Sequence, residues 1–174
     1  WEWARFRTAK RVREQQAQLI LGGMCWYSMP INWYGVLGKW MRHEHEIYKQ
    51  QSEALPAQMA RLTGIPVVHA AHVGEVMSDM PLLPHVKWLT EMVGETQICD
   101  ASGKVLARMS LEDGEGYIAA EVEIAEPQPL DQVQPRYWIP DMTVTSKLAW
   151  HLGNLHGGLM YRLRHRFKKF PWQK

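Results

Sequence analysis

Covalent staples and net charge are both scarce in this chain. Among 174 residues there are two cysteines, Cys25 and Cys99, with no CxxC spacing. That excludes a disulfide framework and fits a reducing compartment. The formal net charge is only +2, so composition gives no argument for nucleic acid as a partner. No apolar run approaches the roughly 18 residues of a helical membrane span, and no signal-peptide pattern is visible. The expectation is a cytoplasmic protein. Also missing are a Walker or Rossmann phosphate loop, a serine-centred elbow and an HExxH zinc helix. His43-Glu44-His45-Glu46 is no substitute for the last, because alternate residues of a helix do not share a face. It reads as a solvated polar stretch. His69 and His72 stand three apart but lack a visible third ligand. Neither a metal nor a cofactor is expected.

The length suffices for one domain with a sizeable core. Its charge is uneven: Arg5, Arg7, Lys10, Arg11 and Arg13 cluster near the start, and Arg162, Arg164, Arg166, Lys168 and Lys169 near the end. Apolar Trp3, Phe6, Ala9 and Val12 recur every three residues, which predicts an amphipathic helix over 1–16 with its arginines solvated. Residues 18–23 read as a short buried strand. Met24-Cys25-Trp26-Tyr27 follows at its carboxyl end, the edge where α/β folds bind ligands. An aromatic loop over 28–38 leads to a helix over 39–51. A further helix is expected to start at Pro56 and close at Gly64. A second buried strand spans 65–71, and His72 opens a long loop rich in Met, Pro and Leu.

The clearest pattern lies between Gly94 and Ile124. Three strands are predicted there, over 96–99, 104–109 and 117–124. The turns Asp100-Ala101-Ser102-Gly103 and Asp113-Gly114-Glu115-Gly116 separate them. In the third strand Ile118, Ala120, Val122 and Ile124 alternate with Ala119, Glu121 and Glu123, as a half-buried strand should. The order helix–strand–helix–strand–meander points to an α/β layered sandwich. After Glu126, Pro127, Pro129, Pro135 and Pro140 predict an extended tail. It ends in an amphipathic helix striped by Leu148, Leu152, Leu155, Leu159 and Leu163. Gly153, Gly157 and Gly158 each cost that helix about 1 kcal/mol against Ala. It therefore needs a surface: its own domain, a partner chain or, less favoured, a membrane.

Gly94, Thr96, Ile98, Asp100, Gly103 and Gly116, in that order, resemble the C-terminal part of a nitrilase-superfamily (carbon–nitrogen hydrolase) domain. Upstream, QLILGGMCW resembles the family's apolar strand, and MARLTGIPVVHAAHVG its helix, strand and exit. Trp1-Glu2 followed by a helix resembles what comes after the nucleophile in Cys-Trp-Glu. The sequence departs from the family at Ala71, where an Asn is usual, and at Thr63-Gly64, where a Glu-Asn pair is common. The resemblance covers about 1–124. It implies half of a four-layer αββα sandwich, with residues 1–126 as the C-terminal half of the domain and 127–174 as an extension.

Such enzymes use a Cys nucleophile, a Glu base and a Lys. On this register the nucleophile immediately precedes Trp1, and the Glu and Lys lie further upstream, so the chain reads as one that begins in mid-domain. The resemblance makes Trp1, Glu2, Met24, Cys25, Trp26 and Tyr27 the pocket wall. Cys25 is the alternative nucleophile, since it too ends a strand and precedes a Trp. A Pro-bearing loop after it speaks against that role, and free cysteines are usually buried, so an inert, buried wall thiol is expected. Two functions stay open. One is the C-terminal part of a thiol-dependent hydrolase of an amide or nitrile. The other is a non-catalytic assembly module pairing through its sheet and tail helix. Expected partners are the N-terminal half of the same domain, further copies in a homo-oligomer and a small amide or nitrile. Neither nucleic acid nor peripheral membrane contact is expected.

Overall fold

The structure, a computed structural model, describes residues 2–80 and 83–165. Its centre is a four-stranded sheet of β1 (Ile20–Met24), β2 (Val67–Ala71), β5 (Thr96–Cys99) and β6 (Val105–Met109), side by side in that order. β1 and β2 run parallel, Ile20 opposite Val67 and Met24 opposite Ala71. A parallel pair needs a long crossover, and α2 (Gly35–Thr63) supplies it. β5 and β6 continue antiparallel, Val67 facing Cys99 and Ile98 facing Ala107. The Asp100 turn forms as its residues dictate: its carboxylate accepts the Ser102 and Lys104 N–H groups at 2.9 and 3.0 Å, and Gly103 has φ +84°.

One face of the sheet is packed by helices. Phe6 and Ala9 of α1 (Phe6–Glu14) join Leu55 and Met59 of α2, Val67 and Cys99 in a single core cluster. Two of the arginines in this stretch, Arg5 just before α1 and Arg13 on it, are not the solvated groups expected. Arg5 lies 5.3 Å from the Tyr137 ring centroid, and Arg13 Nε donates to the Leu62 carbonyl at 2.6 Å. The expected break before Pro56 does not occur. α2 runs through it, and Pro56 is fully buried beside Leu55. Interior proline costs a helix about 3 kcal/mol, which this packing offsets. The helix ends as expected, with Gly64 at φ +71° donating to the Ala60 carbonyl at 2.7 Å. Leu130 N–H on the Arg61 carbonyl at 2.9 Å and Arg13 on that of Leu62 satisfy the last turn.

Two further predictions need correcting. The expected loop after His72 is instead a hairpin of β3 (Glu75–Met80) and β4 (Leu83–Glu91). Its prolines hid it, because Pro within a run argues against a central strand, whereas this two-stranded sheet is all edge. β4 is held to the body by Ile31 N–H on the Leu89 carbonyl at 2.8 Å and by Thr90 Oγ1 on that of Ser28 at 2.6 Å. The predicted third meander strand is no strand. Residues 117–124 have no ladder partner among the described residues; Tyr117 is 93% exposed. Its alternation is real, but no backbone lies opposite it.

Residues 127–142 contain no helix or strand yet reach the core. Gln128 N–H bonds the Gly64 carbonyl at 3.2 Å, Ile139 N–H that of Ala4 at 2.7 Å, and Ile139 and Met142 are buried. α3 (Val144–His165) starts where Thr143 Oγ1 accepts the Ser146 N–H at 3.1 Å. Its start is tied to the body by Thr143 on Glu44 and by Trp150 against Tyr137 and Trp138.

Among the described residues the opposite face of the sheet has no helix or second sheet packed on it. Strand alternation and register put Leu21, Gly23, Val68, Ala70, Ala107 and Met109 there. Leu21, Gly23 and Ala70 are exposed, the others half-buried, and Ile98 alone among these rows is buried.

Candidate functional site at the carboxyl ends of β1 and β2

The two parallel strands end together, and their exits are tied into one structure. His72 donates its backbone N–H to the Met24 carbonyl at 3.3 Å, and its Nδ1 lies 3.1 Å from the same oxygen. A third segment closes the edge: Val93 N–H bonds the Trp26 carbonyl at 2.9 Å and Gly94 N–H that of His72 at 3.2 Å. Thr96 Oγ1 accepts the Ala71 N–H at 3.0 Å. Beside these exits, between His72, Thr96, Met109, Ser110 and Glu115, lies an open cleft of about 250 Å³. It opens on the uncovered side of the sheet, because Thr96 and Met109 both belong to that face.

Under the same edge, on the helix side, sits His69. It is buried against Trp3, with ring centroids 5.2 Å apart, and neither ring nitrogen has a hydrogen-bond partner among the described residues. Burial pushes its pKa down to about 4, so the imidazole is neutral near pH 7. Trp3 reaches it by lying across Gly22, where a Cβ would stand 2.2 Å from the indole ring. A second pair of buried polar groups lies on α2. Glu44 and His45, expected in solvent, are buried on α2, where Glu44 accepts from Thr143 Oγ1 at 2.6 Å. His45 Nδ1 meets Ser28 Oγ at 2.6 Å, and its pKa is lowered chiefly by burial. The correction has a simple cause: the helix is longer than expected and its polar stretch passes under the β4 exit and the start of α3. No group of three metal-ligating side chains occurs among the described residues.

The six predicted wall residues divide. Trp1 lies outside the described residues, as do Arg166, Lys168 and Lys169 of the C-terminal basic cluster. Glu2, in a 3₁₀ turn over Glu2–Ala4, is exposed and pairs with Arg5 at 3.2 Å. Met24 and Trp26 are buried, Trp26 against Tyr48 with ring centroids 5.6 Å apart. Tyr27 is half exposed and bridges to Met92. Cys25 is exposed rather than buried, its side chain turned away from the core that takes Met24 and Trp26. Its sulfur has the Met92 sulfur at 3.9 Å, and no imidazole or carboxylate hydrogen-bonds it among the described residues. The buried thiol is Cys99, pushed up to about 11 by burial and then by Asp100. Sequence reasoning missed Thr96, Ser110 and Glu115 as cleft residues. A turn pattern shows where the chain reverses, not which strand end it folds back over.

No protein-family model matches this sequence, and no curated protein sequence is significantly similar. The fold has a counterpart among solved structures: a carbon-nitrogen hydrolase from Helicobacter pylori G27, with a TM-score of 0.51 at 14% identity. The match takes in 98% of this chain and 47% of the Helicobacter protein, so the chain spans about half the length of that structure.

Proposed function

We propose that residues 1–126 are the C-terminal half of a thiol-dependent carbon–nitrogen hydrolase, with 127–174 as an extension. The observation that carries this reading is the bare sheet face. A sheet packed by helices on one side and left apolar on the other leaves room for the further layers of a sandwich. The likeness of fold to a carbon-nitrogen hydrolase twice as long points the same way. The missing layers would be the N-terminal half of the domain, giving four αββα layers.

In this reading the nucleophilic thiol directly precedes Trp1, and a Glu and a Lys come from upstream. The thiolate attacks the carbon of an amide, a C–S bond forms and the C–N bond breaks, with ammonia or an amine leaving after taking a proton. Water then cleaves the thioester, returning the thiol and releasing a carboxylic acid. The Trp1 N–H would hold the oxyanion. This chain supplies the wall: Glu2, the Met24–Tyr27 exit and, as additions from the geometry, His72 and Thr96 beside the cleft. Further copies in a homo-oligomer fit the exposed apolar surfaces. Cys25 is assigned to the wall because no base lies within hydrogen-bond reach of it among the described residues.

The test is ammonia release from a panel of small amides and nitriles by the polypeptide that includes the contiguous upstream segment. Changing the cysteine before Trp1 to alanine should lower turnover at least about 10³-fold, while Cys25→Ala keeps it within about threefold. Loss of turnover only in Cys25→Ala would overturn the assignment. A second reading, a non-catalytic assembly module, draws on the same bare face and on the exposed stripe of α3. Full-length material that assembles but releases no ammonia from any substrate would favour it.

A further inference from the structure

α3 is built to face away from the protein that carries it. At about 100° per residue, Ser146 and Trp150 lie on one side of the helix and the leucine stripe on the other. The first side is the docked one. Ser146 is fully buried beside Thr143, with Oγ–Oγ 2.8 Å, and Trp150 packs against Tyr137 and Trp138 with ring centroids 5.6 and 5.4 Å away. The stripe is left bare: Leu148 is 56% exposed, Leu155 70% and Leu159 54%. The helix is thus docked on its own domain by its Ser146 and Trp150 side, while the leucine stripe has no cover among the described residues.

Charge identifies what the stripe meets. From Met142 to the end of the sequence there is no Asp or Glu, and there are seven Lys or Arg. All eighteen acidic residues lie before that point, with thirteen basic ones. A chain that is nearly neutral overall is thus an acidic body carrying a strongly basic arm. Arg162 and His151 border the stripe on one side and His156 on the other, by the same helical geometry. Two such arms side by side would bring like charges together, which opposes pairing of one stripe with the same stripe of a second copy. A nucleic acid would leave the leucines without use. Leucines for an acyl boundary and Lys or Arg side chains for headgroups are the features of an interfacial helix. No described helix is apolar or long enough to cross a membrane.

We propose that α3 lies on an anionic lipid surface, leucine stripe inward, and holds the body of the protein there. The tested material is the full chain with vesicles of phosphatidylcholine containing about 30% phosphatidylserine, against pure phosphatidylcholine. The expected result is co-sedimentation with the anionic vesicles only, weakened by raising salt from about 0.1 to 0.5 M. Leu155→Asp combined with Leu159→Asp should reduce partitioning at least about tenfold, and Arg162→Glu about fivefold or more. Leu21→Lys, on the bare sheet face, should leave it unchanged. Three outcomes overturn the proposal: partitioning that follows the Leu21 change instead, a concentration-dependent dimer abolished by the leucine changes with no vesicle binding, or binding to a single-stranded oligonucleotide in place of vesicles.

Discussion

His69 sets the residue scale, because one buried imidazole makes a solution property. Released from the fold it takes a proton near pH 6.5; within it, only near about 4. Between those values the unfolded chain binds a proton that the folded chain refuses, so stability falls as pH drops from about 6.5 toward 4. His45 is shifted the same way, so His69 carries part of the slope. His69→Leu keeps the contact with Trp3 and removes the titration. Urea unfolding at pH 7 and pH 5 should show the acid loss reduced by about 1–2 kcal/mol in the variant. An unchanged pH 7 to pH 5 difference would mean that His69 is not held neutral by the fold.

At the scale of elements, the exit of α2 joins the helix layer to the tail. Gly64 has a left-handed φ of +71°, and a Cβ there would stand 2.2 Å from the Gln128 backbone carbon. Gly64→Ala therefore meets two costs, about 1–2 kcal/mol for the left-handed backbone and about 1–3 for the collision. A loss of roughly 2–5 kcal/mol in a denaturant titration is expected. A loss under about 0.5 kcal/mol would mean the tail does not pack on the helix end. The sequence marked Gly64 as a helix stop from its residue type alone. That the position is also closed to any side chain by residues 128–129 depends on a contact more than sixty positions along the chain.

For the whole molecule the deciding feature is an apolar sheet face without a layer. Leu21 is 70% exposed on it, so Leu21→Lys should change the stability of this chain by no more than about 0.5 kcal/mol. The same change should weaken assembly with an upstream half by about tenfold or more, since it puts a charge into the sandwich. Residues 117–124 make the companion case. Their amides should exchange with solvent rapidly in this chain and become protected on assembly. Protection of 117–124 in this chain alone, or a large stability loss from Leu21→Lys, would show the face already covered.

What was legible beforehand was whatever neighbouring residues decide among themselves. The Asp100 and Asp113 turns, the stop at Gly64, β1 and β2, and the stripe of α3 all follow from short-range sterics and periodicity. So does the helix–strand order that pointed to a mixed α/β fold. Whatever depends on a distant partner was not legible. Pro56 stays inside a helix because its packing outweighs a local penalty, and Glu44 and His45 are buried because the start of α3 and the exit of β4 cross over them. Residues 117–124 alternate like a strand yet remain unpaired, since a ladder needs a second backbone that no local pattern supplies. Only the tertiary structure could show which apolar faces are already satisfied, because burial is a property of pairs of surfaces and a sequence states one surface at a time.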